Sequence, residues 1–199
     1  MSTPLHSKRL WLVCLICGGI ASSLLMLPTM IDVVQTNGQM NGILQRGKHF
    51  FTYLWCDGFQ GTWPDSSEFP SSTAYITNVV SRGAIRHDDY SLFSAPGITA
   101  YRGTNAGWFK AENNAWCVVA DLSDNAADNT PFLITRNLNV SSLAELKGKV
   151  GDQLSDEPPF GRKGVVIISK GGAANIVKPD MLWSDFLGGQ TFTNRVLRP

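Results

Sequence analysis

The stretch LWLVCLICGGIASSLLMLPTMI, residues 10–31, decides the architecture of this chain. It carries no ionisable side chain except those of two cysteines. As a helix it would be about 33 Å long, enough to cross a hydrocarbon core of about 30 Å. A helix buried in a soluble protein is seldom apolar on every face over such a length. We therefore predict a transmembrane helix over residues 10–31.

Charges at the two ends of this stretch predict its orientation. Lys8 and Arg9 stand directly before it and Asp32 follows it. The positive-inside bias then holds residues 1–9 in the cytoplasm as a short tail and sends residues 32–199 outward. The alternative is a cleaved signal peptide with a small-residue site at 21–23, but its apolar region would usually span only about 7–15 residues. We expect the anchor to be retained.

The exported part has a nearly balanced charge and the size of one domain. All 16 acidic residues follow the span, and of the 17 basic residues only two precede it. This balance gives no reason to expect nucleic acid as a partner. Residues 32–199 are numerous enough to bury one substantial hydrophobic core.

The four cysteines fall into two pairs with different surroundings. Cys14 and Cys17 lie in the predicted span, where we expect them to pack as thiols. Cys56 and Cys117 lie outside it, and an oxidising compartment would allow a disulfide between them. Two buried free thiols are the alternative, because each cysteine follows a tryptophan in an apolar setting.

Beyond the span, the helix is predicted to continue through residues 32–56 as an amphipathic segment, before a globular domain over residues 57–199. The continuation rests on an apolar stripe at three- and four-residue spacing. Its members are Met40, Ile43, Leu44, Gly47, Phe50, Phe51, Leu54 and Trp55. A second, short helix is predicted after Ser71 or Ser72, ending at Gly83.

Strand patterns follow in the second half of the chain. Three segments rich in β-branched and aromatic residues predict strands at 115–120, 132–135 and 164–169. Shorter strands are predicted at 90–93 and 97–101. Ser142 and Glu145 form a capping box for a short helix between the later strands. We therefore predict an α+β fold, a long N-terminal helix packed on a small antiparallel β-sheet.

Several local sequences resemble those of a known family. The stretches are Leu25–Pro28, Gln45–Lys48, Trp63-Pro64 with Phe69–Tyr75, Ala95–Gly97, Ala111–Trp116, Thr130–Leu133 with Thr135–Asn137, and Lys170–Ala173. With the apolar N-terminal helix, they resemble type IV pilin-like proteins, and in particular the pseudopilin-like proteins labelled as type II secretion system proteins. The resemblance implies a pilin-like fold and a prepilin-type origin.

One part of the family pattern is absent. With Pro28 aligned to the pilin proline, His6 stands where the processing glycine belongs, Ser7 would begin the mature chain, and Trp11 replaces the expected glutamate. In pilins that glutamate is thought to pair with a neighbouring subunit's N-terminal amine, and tryptophan does not allow this pairing. We therefore expect an atypical relative that stays uncleaved.

The resemblance implies a structural role rather than catalysis. It predicts a membrane-anchored, pseudopilin-like subunit of a type II secretion or type IV pilus-like assembly, single-pass in a bacterial inner membrane. The N-terminus would be cytoplasmic and the globular domain periplasmic or extracellular. Its partners would be the membrane and either copies of itself or other pseudopilin subunits. Gly18, Gly19 and Ser22 give the span a small-residue face suited to helix packing.

Two alternatives and one candidate metal site remain. The alternatives are an anchored extracytoplasmic binding module using Trp63, Tyr101 and Trp108, and a tethered hydrolase using the cluster His87–Asp89. The metal site is the loop carrying Asp121, Asp124 and Asp128, whose many oxygen atoms suit calcium. Major pseudopilins bind calcium in a loop of the globular domain, although the spacing here is not that of an EF-hand. A solvated turn capped by Asx side chains is the competing interpretation.

Overall fold

A computed structural model describes residues 5–56, 63–83, 85 and 89–199, with side chains from Ile31 onward. The chain divides into two compact units, Met1–Gly38 and Gln39–Pro199. The predicted span lies outside the described side chains except for Ile31, and with it lie the packing residues Gly18, Gly19 and Ser22. Among the residues whose side chains are described, no helix combines the length and apolarity that a membrane crossing needs.

Helix α1 runs from Leu5 to Cys56, and the residues that belong to the second unit pack into its core. Five members of the predicted stripe are buried, namely Met40, Ile43, Gly47, Phe50 and Leu54. Leu44 and Phe51 are partly buried against the same core. Trp55 is the exception, with 45% of its surface exposed. The helix is thus confirmed through Cys56, with a buried stripe from Met40 to Leu54, and the unit boundary at Gly38 places residues 39–56 in the second unit.

The core of the second unit is one five-stranded antiparallel sheet. Its strands are β1 (Trp116–Val119), β2 (Pro131–Thr135), β3 (Val165–Ser169), β4 (Ala174–Val177) and β5 (Val196–Leu197). They lie in the order β4-β3-β2-β1-β5. The three central strands are those predicted from the sequence, and every residue in them is buried. The α+β fold class is therefore confirmed, with two edge strands that the sequence pattern did not indicate.

Two shorter helices complete the regular structure. Helix α2 spans Ser72–Ser81, and the Ser71 hydroxyl caps it by accepting a hydrogen bond from the Ala74 amide at 3.2 Å. Helix α3 is a single turn, Trp183–Phe186. The predicted capping box is also present, because the Glu145 carboxylate accepts from the Ser142 amide at the start of a 3₁₀ turn over Leu143–Glu145. These local signals were sufficient to place both helix starts.

The two shorter strand predictions, at 90–93 and 97–101, were wrong. Residues Asp89–Phe93 form a 3₁₀ helix, and residues 97–101 form a turn followed by irregular chain. Within the first of these, Tyr90 and Phe93 are buried in an aromatic cluster with Phe109. A short apolar run satisfies either a strand or a buried turn, so the pattern alone does not separate the two.

Candidate functional site

The acidic loop is held by a lysine rather than by converging carboxylates. The Lys170 ammonium donates hydrogen bonds to the backbone oxygens of Asp124, at 2.7 Å, and Ala126, at 2.8 Å. The same nitrogen lies 5.9 Å from the centre of the Trp63 ring. Lys170 keeps only 8% of its surface exposed. Because backbone oxygens are common calcium ligands, this ammonium takes up part of what a metal ion would need.

The three aspartates predicted as metal ligands make contacts with different parts of the chain. Asp121 has a left-handed backbone, φ +60°, and its carboxylate accepts the Ser66 amide at 2.8 Å. The backbone oxygen of Asp128 accepts from the Gly171 amide at 2.8 Å. In the described residues, no group of three or more His, Cys, Asp or Glu side chains is placed to hold a metal ion. The turns within the loop are closed by backbone hydrogen bonds, from the Ala126 amide to the Ser123 oxygen and from the Thr130 amide to the Ala127 oxygen.

Replacing Lys170 with methionine is expected to lower the free energy of unfolding by about 2 kcal/mol, because the backbone oxygens of Asp124 and Ala126 lose a charged donor. The measurement is thermal unfolding of the full chain in detergent, followed by near-UV circular dichroism. Lys147 is exposed, so Lys147→Met should change stability by less than about 0.5 kcal/mol. Equal effects of the two substitutions would contradict the role given to Lys170.

Millimolar calcium is expected to leave the thermal unfolding transition of the unmodified chain unchanged.

Cys56 and Cys117 are both free thiols in very different surroundings. Cys56 ends α1 and is exposed, whereas Cys117 lies in the middle of the sheet with none of its surface accessible. The structure thus contains no disulfide between them, and only Cys117 fits the alternative of a buried thiol. Burial raises the pKa of the Cys117 thiol to about 12, because the thiolate would lose its hydration.

Alkylation should therefore separate the two thiols. In a Cys14→Ser/Cys17→Ser background at pH 8, iodoacetamide is expected to label Cys56 and to leave Cys117 unmodified until the domain unfolds. The physical reason is that reaction needs an accessible thiolate, and Cys117 has neither access nor charge. Peptide mass spectrometry of the native and urea-unfolded protein gives the readout. Rapid labelling of Cys117 in the native protein would contradict the buried position of β1.

The histidine–carboxylate cluster is only partly described. His87 and Asp88 lie outside the described residues, and Asp89 begins the 3₁₀ helix that ends at Phe93. Arg136 donates to the backbone oxygens of Ala111 and Asn114, and its guanidinium lies 3.8 Å from the Glu157 carboxylate.

The three aromatic residues proposed for a binding module differ in exposure. Trp63 packs edge-on against Phe132, with ring centres 5.1 Å apart, so it belongs to the core. Tyr101 is half-buried and packs on Tyr90 at 4.7 Å between ring centres. Trp108 alone is a surface residue, with 70% of its area exposed. Trp108 and Tyr101 line one groove of about 570 Å³, together with Arg102 and Lys110, which the sequence did not single out.

An exposed apolar surface also occurs on the helix in the first unit. Ile31, Val33 and Val34 follow the predicted span directly and expose 61%, 57% and 72% of their areas. Ile31 and Val34 are three positions apart and share one face of the helix, whereas Val33 lies on the other side from Ile31. Isolated apolar residues on a surface are ordinary.

Comparisons of the chain with protein families, with curated proteins and with solved structures found no match.

Proposed function

We propose that the chain is a membrane-anchored, pseudopilin-like structural subunit of a type II secretion or type IV pilus-like assembly. In this proposal residues 10–31 cross a bacterial inner membrane, and the globular domain lies on the periplasmic or extracellular side. The helix packs against copies of itself or against related subunits. No side chain is assigned a catalytic role.

The observation that carries the proposal is the way in which the domain is built around α1. A Cβ placed on Gly47 would lie 2.7 Å from Cη2 of Trp116 in β1 and 2.9 Å from Cγ1 of Ile168 in β3. One turn later, Phe51 contacts Phe132 of β2 edge-on at 6.2 Å between ring centres. The helix therefore packs directly against three adjacent strands. A helix that is both the domain's own core element and the continuation of an apolar N-terminal segment is the arrangement expected of a pilin-like subunit.

Exposed apolar residues support the assembly role of the same helix. Ile31, Val33 and Val34 cost free energy wherever they meet water, at roughly 25 cal/mol for each Å² of apolar area. Lipid or a neighbouring helix would remove that cost. The predicted small-residue face at Gly18, Gly19 and Ser22 would let two helix backbones approach closely in the membrane.

The processing pattern limits the kind of assembly. Trp11 does not supply the buried carboxylate that would set the stagger between neighbouring helices, and His6 stands at the processing position. We therefore propose an uncleaved subunit whose helix contacts depend on shape and small residues. This makes self-association in the membrane the property to measure.

Cysteine cross-linking in intact membranes tests the proposal. The background variant has Cys14, Cys17 and Cys56 replaced by serine, and Gly18→Cys or Ser22→Cys is then introduced singly. Residues 18 and 22 are four positions apart and share one helical face, so both variants are expected to form disulfide-linked dimers upon oxidation. Ile20→Cys is the matched control, because at helical spacing it faces the opposite side.

The proposal predicts strong cross-linking at positions 18 and 22 and weak cross-linking at position 20. Hetero-cross-links to another small membrane protein at the same two positions would also support it. An anchored binding module that acts as a monomer predicts no face dependence. Equal trapping at all three positions, or none at any, would overturn the assembly role.

A further inference from the structure

The groove beside Trp108 has the size and lining of a small-molecule site. Its volume is about 570 Å³, and its lining includes Thr99, Tyr101, Arg102, Trp108, Lys110 and Glu112. Binding pockets for small ligands usually measure about 300–1,000 Å³ and combine aromatic surface with a few polar groups. None of these residues contributes to the assembly role proposed above.

Trp108 is exposed although the turn that carries it is capped and has buried neighbours. It ends a 3₁₀ turn, Ala106–Trp108, that the Asn105 side chain caps by accepting the Gly107 amide at 2.9 Å. Ala106, the first residue of the turn, and Phe109, which directly follows Trp108, are both buried. The fold therefore anchors the turn on each side and leaves the indole in solvent. The backbone of the turn therefore needs no reordering when a ligand packs against the ring.

A buried amide fixes the two walls of the groove relative to each other. Asn113 keeps only 7% of its surface exposed, and its side-chain nitrogen donates to the Thr99 backbone oxygen at 3.0 Å. Its side-chain oxygen accepts the Lys110 amide, also at 3.0 Å. On the other side, the Tyr101 hydroxyl donates to the Asn105 backbone oxygen at 2.7 Å. The groove is thus pre-formed rather than dependent on a ligand to close it.

The charges in the groove favour an anion. Arg102 and Lys110 supply two positive charges and Glu112 one negative charge, and all three side chains are exposed. Among the residues that the structure describes, none of the three forms an ion pair. Their hydrogen-bonding capacity is therefore still open, and the net charge of the lining is positive.

We propose that this groove binds an acidic oligosaccharide, one whose sugar rings carry carboxylate groups. The C–H face of a sugar ring would pack on the Trp108 indole. Arg102 and Lys110 would hold the carboxylate, the first in a two-pronged pair, and Glu112 would accept hydrogen bonds from hydroxyl groups. A neutral sugar would leave both cations unpaired, and an acidic peptide would leave the flat indole face without a matching ring.

Isothermal titration of the full chain in detergent micelles with galacturonate oligomers tests this site. Trp108→Ala is expected to weaken binding by about tenfold or more, because the packing surface is lost. Arg102→Gln combined with Lys110→Gln should weaken binding similarly and should remove most of its salt dependence. Trp55→Ala is the matched control, since Trp55 is also an exposed tryptophan and lies on α1, outside this groove.

Each outcome decides for or against the proposal. Binding of galacturonate oligomers that Trp108→Ala weakens by about tenfold or more and Trp55→Ala leaves intact would support it. Equal binding of neutral glucose oligomers, or of polyglutamate, would overturn it, as would no heat at millimolar oligomer. The site does not depend on the assembly role, because cross-linking at residues 18 and 22 can succeed or fail whatever the titration shows.

Discussion

Replacing Gly47 with leucine is expected to lower the free energy of unfolding by about 3 kcal/mol or more, the largest effect foreseen for a single substitution on α1. A Cβ at this position would already lie 2.7 Å from the Trp116 ring, and the remaining leucine carbons have no room beside Ile168. Both neighbours are completely buried and cannot move into solvent. The helix would therefore have to lift away from β1 and β3. A loss of this size corresponds to a fall in melting temperature of about 6–12 °C.

The matched control for Gly47 is the same change one and a half turns earlier. Gly42 lies on α1 as well, but it is exposed and nothing lies within 4 Å of a Cβ placed on it. Gly42→Leu should stabilise the protein by about 0.8 kcal/mol, since glycine is a poor helix former. Near-UV circular dichroism of both variants gives the comparison. Similar effects of the two changes would show that α1 does not contact the sheet at Gly47.

Replacing Asn114 with alanine is expected to cost about 3 kcal/mol, because it breaks the polar junction between α2 and β1. The Asn114 side chain donates to the hydroxyls of Ser72, at 3.0 Å, and Thr73, at 3.2 Å, and accepts the Trp116 amide at 2.9 Å. The Ser72 hydroxyl in turn donates to the Trp116 backbone oxygen at 2.7 Å. Asn114 and Ser72 are wholly buried, so water cannot replace the lost partners.

Urea unfolding of Asn114→Ala measures this loss. Asn129→Ala serves as its control, because Asn129 is exposed and makes a single long hydrogen bond, 3.3 Å, to the Leu187 backbone oxygen. That substitution should cost about 0.5 kcal/mol or less. If Asn114→Ala costs no more than its control, the junction does not contribute to stability in the way described.

Local patterns were sufficient for the centre of the fold. β1, β2 and β3 were predictable because each is a short, continuous apolar run bounded by turn residues, as fully buried strands are. The start of α2 was predictable because the Ser71 hydroxyl caps it within four residues of sequence. Segments far apart in the sequence also meet in this core, as Ser72 and Thr73 do with Asn114.

Long-range contacts explain what the sequence did not reveal. β5 is only two residues long and is defined by its pairing with β1, nearly eighty positions earlier. β4 is only partly buried through most of its length, so its pattern lacks the apolar run of the central strands. Lys170 follows a strand by one position, and nothing local shows that its ammonium reaches Asp124 across 46 residues. The groove at Trp108 was not predicted for the same reason, because turns bring its polar residues together.

The mass of the chain recovered from bacterial membranes tests most directly the proposal of an uncleaved, membrane-anchored subunit. The experiment expresses the chain from Met1, separates membrane and soluble fractions, and measures the intact mass in each. We expect a membrane-bound chain that begins at Met1 or Ser2, because His6 and Trp11 do not fit the processing pattern and residues 10–31 are the proposed anchor. A soluble chain that begins after residues 21–23 would contradict it, since the anchor would then be a cleaved signal peptide.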